Sequence, residues 1–124
     1  MANPSTGFGG AGTEVIRRSY VDGAEELEST VLLGVANHIM TIISIVICER
    51  SNYSDVYFKL YIDSDLSGND CYLMQTTHLP AMSTFVWSDR IAITETDKLI
   101  ILPASAANTA NIDIWCTYID QQLA

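Results

Sequence analysis

The sequence predicts an all-β protein: an antiparallel β-sandwich of about seven to nine strands, of jelly-roll or immunoglobulin-like type, with an extended N-terminal arm. Three observations predict it. Val56, Phe58, Leu60 and Ile62 alternate with Tyr57, Lys59 and Tyr61, a period of two that gives a strand one buried and one solvent-facing side. The run from His38 to Cys48 is dense in isoleucine and other β-branched residues, and is too short to cross a bilayer as a helix. Turn residues then recur at roughly ten-residue intervals, the spacing of short antiparallel strands.

Residues 1–12 are rich in glycine and small residues, with Phe8 as the one aromatic, a composition that suits an arm rather than a packed element. Thr13–Tyr20 reads as a first strand, with Val15 and Arg17 on one face and Ile16 and Arg18 on the other. That mixed polarity marks an edge or inter-subunit strand. Asp22-Gly23 reads as a turn and Ala24–Glu28 as an acidic loop. Ser29–Gly34, His38–Glu49, Val56–Ile62 and Cys71–Thr77 follow as strands, and Pro80 stops the last because it has no N–H for a ladder. Thr84–Trp87, Ile91–Thr94 and Lys98–Leu102 are short strands, and Pro103–Ala110 is a small-residue loop. Asn111–Ile119 completes the set with Ile112, Ile114, Cys116 and Tyr118 on one face. The expected division is an extended arm with an edge strand over residues 1–26 and a sandwich domain over 27–124.

A chain of 124 residues fits one domain and buries roughly two-thirds of the surface its unfolded form exposes, so a core forms without staples. Apolar residues make up 48%, which rules out a disordered body, while only 17% are charged, which points to surface covered by other protein. The net charge is −9, and the six basic residues are scattered apart from Arg17-Arg18. Nucleic acid and anionic membranes both need clustered Lys and Arg, so neither is an expected partner. Cys48, Cys71 and Cys116 fall inside strand patterns without C-x-x-C spacing and read as buried free thiols of a protein made in a reducing cytoplasm. The opening residues lack the basic start and apolar run of a signal peptide.

Asp63-Ser64-Asp65-Leu66-Ser67-Gly68-Asn69-Asp70 begins like a calcium loop, with carboxylates at alternate positions before a glycine. Met74, however, stands where the bidentate Glu belongs and strands flank the segment, so a polar hairpin loop is the better reading. His38 and His78 have no ligand-spaced partners and no nucleophile elbow is present. The glycines at 7, 9, 10 and 12 precede a strand rather than a helix. The expectation is therefore no catalytic residue, no metal and no cofactor: not an enzyme. Function falls to surfaces. Tyr57 and Tyr61 flank Lys59 on the solvent side of their strand, as interface anchors or a sugar-stacking platform, against the plainer reading that a loop or residues 13–20 cover them. Trp87 and Trp115 read as core or rim.

The blocks Ile42–Cys48 and Val56–Ile62 around Ser51-Asn52, then Leu79-Pro80-Ala81-Met82 and Asp97-Lys98-Leu99 through Ala104-Ser105-Ala106, carry a family resemblance. Over about residues 30–120 the chain resembles small β-sandwich virion structural proteins of tailed bacteriophages, with Glu49-Arg50 departing from the small polar turn usual there. The resemblance implies a virion protein assembled in the host cytoplasm, foremost a capsid decoration (cement) protein. Such a protein binds the outer capsid surface between capsomers and stabilises the shell because it binds the assembled lattice and not free subunits. A neck, tail or fibre-adaptor component is the alternative, and a carbohydrate-binding module a second. The implied partners are the major capsid protein or another virion protein and further copies of this chain, trimers being favoured, with no nucleic acid and no membrane. The interface residues on this reading are Phe8, Val15, Ile16, Arg17 and Arg18 of the arm and first strand, with Tyr57 and Tyr61.

Overall fold

The computed structural model describes residues 13–24, 28–50, 56–64, 70–104 and 111–123. Among these residues lie nine strands and no helix: β1 (Thr13–Ala24), β2 (Ser29–Leu33), β3 (His38–Glu49), β4 (Val56–Ser64), β5 (Asp70–Leu79), β6 (Thr84–Trp87), β7 (Ile91–Thr94), β8 (Asp97–Ala104) and β9 (Ile112–Gln122). Each expected strand is present, several of them longer than the alternation shows. No helix among the described residues is long and apolar enough to cross a membrane.

The strands form two antiparallel sheets. One has the order β1-β9-β3-β6 with β7 also on β3, the other the order β2-β8-β4-β5. β6 and β7 lie end to end along one edge of β3, β7 against Ile39–Ile42 and β6 against Ile45–Cys48. Taken as one interrupted strand, they give the strand order of a jelly roll, the first of the two sandwich types expected. The first four strands alternate between the sheets, so sequence neighbours such as β3 and β4 do not pair, whereas β4 and β5 share a sheet and form a hairpin pair.

The core lies between the sheets. Ile42, Ile45, Ile47, Ile112, Ile114 and Cys116 come from the first sheet, and Phe58, Leu60, Leu99 and Ile101 from the second, all essentially without solvent contact. Phe58 meets Phe85 edge to face across the sandwich, with ring centroids 6.2 Å apart. β3 changes phase on the way: the register shifts between Ile42 and Ser44, so Met40 and Ile42 before the shift and Ile45 and Ile47 after it all point inward. β5 has a comparable irregularity, with Thr76 at φ 49° and Leu73 and Met74 both packed against the core. Pro103 is tolerated inside β8 because it lies beyond Ile101, the last β8 residue paired with β2.

Three expectations need correction. Asp22-Gly23 does not end the first strand: β1 runs on to Ala24 through a bulge, with Gly23 at φ 72° and its N–H donating to Asp113 Oδ1 at 2.8 Å. A side-chain acceptor on β9 replaces the ladder bond, so the strand continues past its turn-like pair. Among the thiols, Cys116 is buried as expected and Cys48 is half-buried, but Cys71 is exposed at the start of the edge strand β5, where only β4 flanks it. Tyr61 is likewise not on the solvent side in the sense expected, as its surroundings below make plain.

Gly34 is fixed by a close approach. Its N–H donates to the Asp97 carbonyl at 2.8 Å, and a Cβ there would meet the carbonyl oxygens of Glu95 and Asp97 at 2.4 and 2.7 Å. The β7–β8 turn and the β2–β3 turn are thus pressed together at one end of the sandwich. The loop read from Asp63 to Asp70 has residues 65–69 outside the described residues.

Candidate functional site

β1 is the edge of its sheet, paired only with β9, and successive residues point alternately inward and outward. Val15, Arg17, Ser19 and Val21 have the inward phase. Ser19 Oγ donates to the Val31 carbonyl of β2 at 2.7 Å, which ties the edges of the two sheets together, and Val21 packs on the core. Ile16, Arg18 and Tyr20 point outward and are exposed, Ile16 at 71% and Tyr20 at 63%.

The register carries this outward row across the whole sheet. Tyr20 lies opposite Trp115 of β9, Trp115 opposite Val46 of β3, and Val46 opposite Val86 of β6. Tyr20 and Trp115 stack with centroids 5.7 Å apart and ring planes 17° from parallel, and the Arg18 guanidinium lies 5.5 Å from the Trp115 ring centre. Beside them Val21, Cys48, Asp113 and Ile114 complete a groove of about 320 Å³. At its end Arg50 donates to Asp22 Oδ1 at 3.0 Å and lies 3.5 Å from Asp113 Oδ1. The result is an apolar and aromatic strip four strands wide, edged by charge, open to solvent.

Of the residues singled out from sequence, Arg18 lies over this strip, and Ile16 is on the same outer face two rows further along, opposite Ile119. Val15 and Arg17 face the other way: Arg17 Nε donates to Asp120 Oδ2 at 2.9 Å, and the other carboxylate oxygen meets His38 Nδ1 at 2.6 Å. Sequence reasoning found no partner for His38 because Asp120 is far along the chain; only the β3–β9 pairing brings them together. Burial raises the nearby Tyr118 phenol above its ordinary value, with Asp120 adding to the effect and Arg17 opposing it. Burial also pushes the Cys116 thiol up to about 11, against a smaller lowering from its Ser19 hydrogen bond. Phe8 lies outside the described residues.

Tyr57 and Tyr61 are on the outer side of the other sheet, but their surroundings differ. Tyr57 is exposed, its ring 5.1 Å from that of His78. Tyr61 is only 2% exposed. It sits on the central strand β4 between Tyr72 of β5, ring centroids 5.0 Å apart, and Ile100 of β8, so large side chains flank it on both sides. The two tyrosines therefore do not form one solvent-side stripe. Tyr20, Trp115, Val46 and Val86 are the surface residues that sequence reasoning missed. Their signal was available only as cross-strand register, which alternation within one strand does not contain.

No group of three or more metal-binding side chains occurs among the described residues.

No protein-family profile matches the chain, and no curated protein is similar to it. Among solved structures it is similar to a Bacillus endospore appendage protein from a family of disulfide-linked pili. That likeness has 16% identity and a TM-score of 0.54, and it covers 97% of each chain. It is also similar to chains of the infectious bursal disease virus particle, at 8% identity and a TM-score of 0.48, and of that virus's Gx strain, at 12% and 0.47. Those matches take in 90% and 89% of this chain but 36% and 38% of the viral ones, so this chain spans little more than a third of their length. At this identity the pilus likeness shows a common fold and nothing more.

Proposed function

We propose that this protein is a structural subunit of a larger particle, and specifically a virion component that decorates the outer surface of a capsid. The observation that carries the reading is the open strip of Tyr20, Trp115, Val46 and Val86 with Arg18 lying over the tryptophan. Trp, Tyr and Arg are the residue types that dominate binding energy at protein interfaces, and a continuous exposed apolar strip on a small protein marks a contact face. The strip lies on a rigid sheet rather than on loops, which suits a permanent contact. The net charge of −9 fits a position away from packaged nucleic acid. The shared fold with a pilus subunit supports the class of assembly protein.

A second reading, an appendage subunit, has its own support in the likeness to the endospore pilus protein over the full length of both chains. On that reading the exposed Cys71 and the half-buried Cys48 are the thiols available for links between subunits.

Quantitative mass spectrometry of purified particles tests the proposal. A ratio to the major capsid protein near one to one or one to three supports decoration. A few copies per particle moves the protein to the neck or tail. Absence from particles overturns the virion reading, and a ladder of covalent multimers on non-reducing gels would then favour the appendage.

A further inference from the structure

We infer that the N-terminal half of β1 is a self-association edge: Thr13–Ser19 pairs antiparallel with the same segment of a second copy, about a two-fold axis through Ile16. The two halves of this edge strand are built differently. From Val21 to Ala24 the strand is bulged, Gly23 is turned to φ 72°, and Arg50 clamps Asp22 at 3.0 Å. Bulges and charges of this kind blunt an edge against further pairing. From Thr13 to Ser19 the ladder with β9 is regular, and no strand among the described residues pairs on the opposite side. Among the described residues this leaves a row of backbone donors and acceptors open, which is the template for adding a strand.

The side chains of that half set the register. Its outward residues are Glu14, Ile16 and Arg18, an acid and a base symmetrically placed about the most exposed large apolar side chain of the strand. Among the described residues neither Glu14 nor Arg18 has an ion-pair partner, whereas Arg17 and Asp22 are both engaged. An isologous contact requires that residue i meet j and j meet i. With the axis at Ile16, Ile16 meets Ile16 and each Glu14 meets Arg18 of the other copy. An axis at Arg18 sets guanidinium against guanidinium. An axis at Tyr20 spends the contact on the bulge and on an aspartate already held by Arg50. The outward arrangement of charge thus selects a second copy as occupant and one register for it. The paired edges would join two five-stranded sheets into one continuous sheet, with the two Trp115 strips on the same side of it.

The contact rests on reading the chain as an assembly subunit, yet the two can fail separately, since particle copy number tests that reading and cross-linking tests this edge. A pairing of this length buries less than the roughly 800 Å² per partner of a standard interface, so covalent trapping is the suitable assay. Opposed Cα atoms in an antiparallel pair are about 4.5–5.5 Å apart, within disulfide reach. In full-length protein with Cys48→Ser and Cys71→Ser, Ile16→Cys is expected to form covalent dimers under mild oxidation about tenfold faster than Tyr20→Cys, at an exposed position of the same face. Adding Arg18→Glu should remove that advantage, and Glu14→Arg with Arg18→Glu in the same chain should restore it. Equal rates for the two cysteines, no loss with Arg18→Glu, or no rescue by the double exchange would each overturn the inference. So would a trimer mass in sedimentation, the oligomer implied by the phage resemblance.

Discussion

At the scale of single residues, Gly34 and Cys116 carry the sharpest consequences. Gly34 has no room for a Cβ because two backbone carbonyls close on it, and backbone cannot swing aside as a side-chain tip can. Gly34→Ala should therefore cost about 2 kcal/mol or more and lower the melting temperature, with the strand content unchanged in circular dichroism. Cys116 titrates the other way from a stabilised charge. Its thiol is held neutral by burial, with the folded value near 11 against an ordinary value of 9. Unfolding releases a thiol that ionises more readily, so the stability this thiol contributes is complete below pH 9 and is lost as pH rises towards 11. Replacing Cys116 by alanine should flatten that alkaline loss in denaturant titrations. The same burial predicts that native protein at pH 8 presents Cys71 to a thiol reagent long before Cys116.

At the scale of elements, the sequence shows strands well and their partners poorly. Alternation in Val56–Ile62 and Ile112–Tyr118 identifies the buried side of β4 and β9 because each keeps one phase through those residues. The isoleucine-rich β3 does not reveal its phase: nearly every position is apolar, and the shift between Ile42 and Ser44 changes which isoleucines face the core. Alternation misplaces Tyr61 for a related reason, since a residue's exposure on an outer face depends on the side chains of the strands either side of it, here Tyr72 of β5 and Ile100 of β8. The candidate strip was half legible. The sequence marks Val15, Ile16, Arg17 and Arg18 on an edge strand without telling which face is outward, and Arg18 joins Tyr20 and Trp115 only once β1 is registered against β9, nearly the whole chain away. This separation of roles gives a test by element. Ile45, central on β3 and fully buried, should lose about 3 kcal/mol of stability on change to alanine through the cavity it leaves. Trp115→Ala, on the outer side of the neighbouring strand, should cost under about 1 kcal/mol in folding, as surface substitutions do, while abolishing incorporation into particles. Equal loss of stability in both variants would make Trp115 a structural residue.

At the scale of the whole molecule, the balance lies between a large diffuse charge and a few close contacts. Each copy carries −9, so two copies repel over long distances, whereas a Glu14–Arg18 pair acts only at contact. Salt discriminates between these ranges. The screening length falls from about 30 Å at 0.01 M to about 8 Å at 0.15 M, which removes most of the repulsion between molecular centres while leaving a touching ion pair partly intact. The rate of Ile16→Cys cross-linking should therefore rise on going from low to physiological ionic strength. Beyond that point the repulsion is already screened, and further salt weakens only the ion pairs, so the rate should pass through a maximum and decline. The Arg18→Glu form makes each copy more negative and has no pair to lose. Its rate should start lower, climb more steeply and show no decline, and stopped time courses of covalent dimer across a salt series read both curves. A rate that falls from the lowest salt onward in the parent protein would mean that contact charge outweighs net charge, and that the acidic surface is not what keeps free copies apart before assembly.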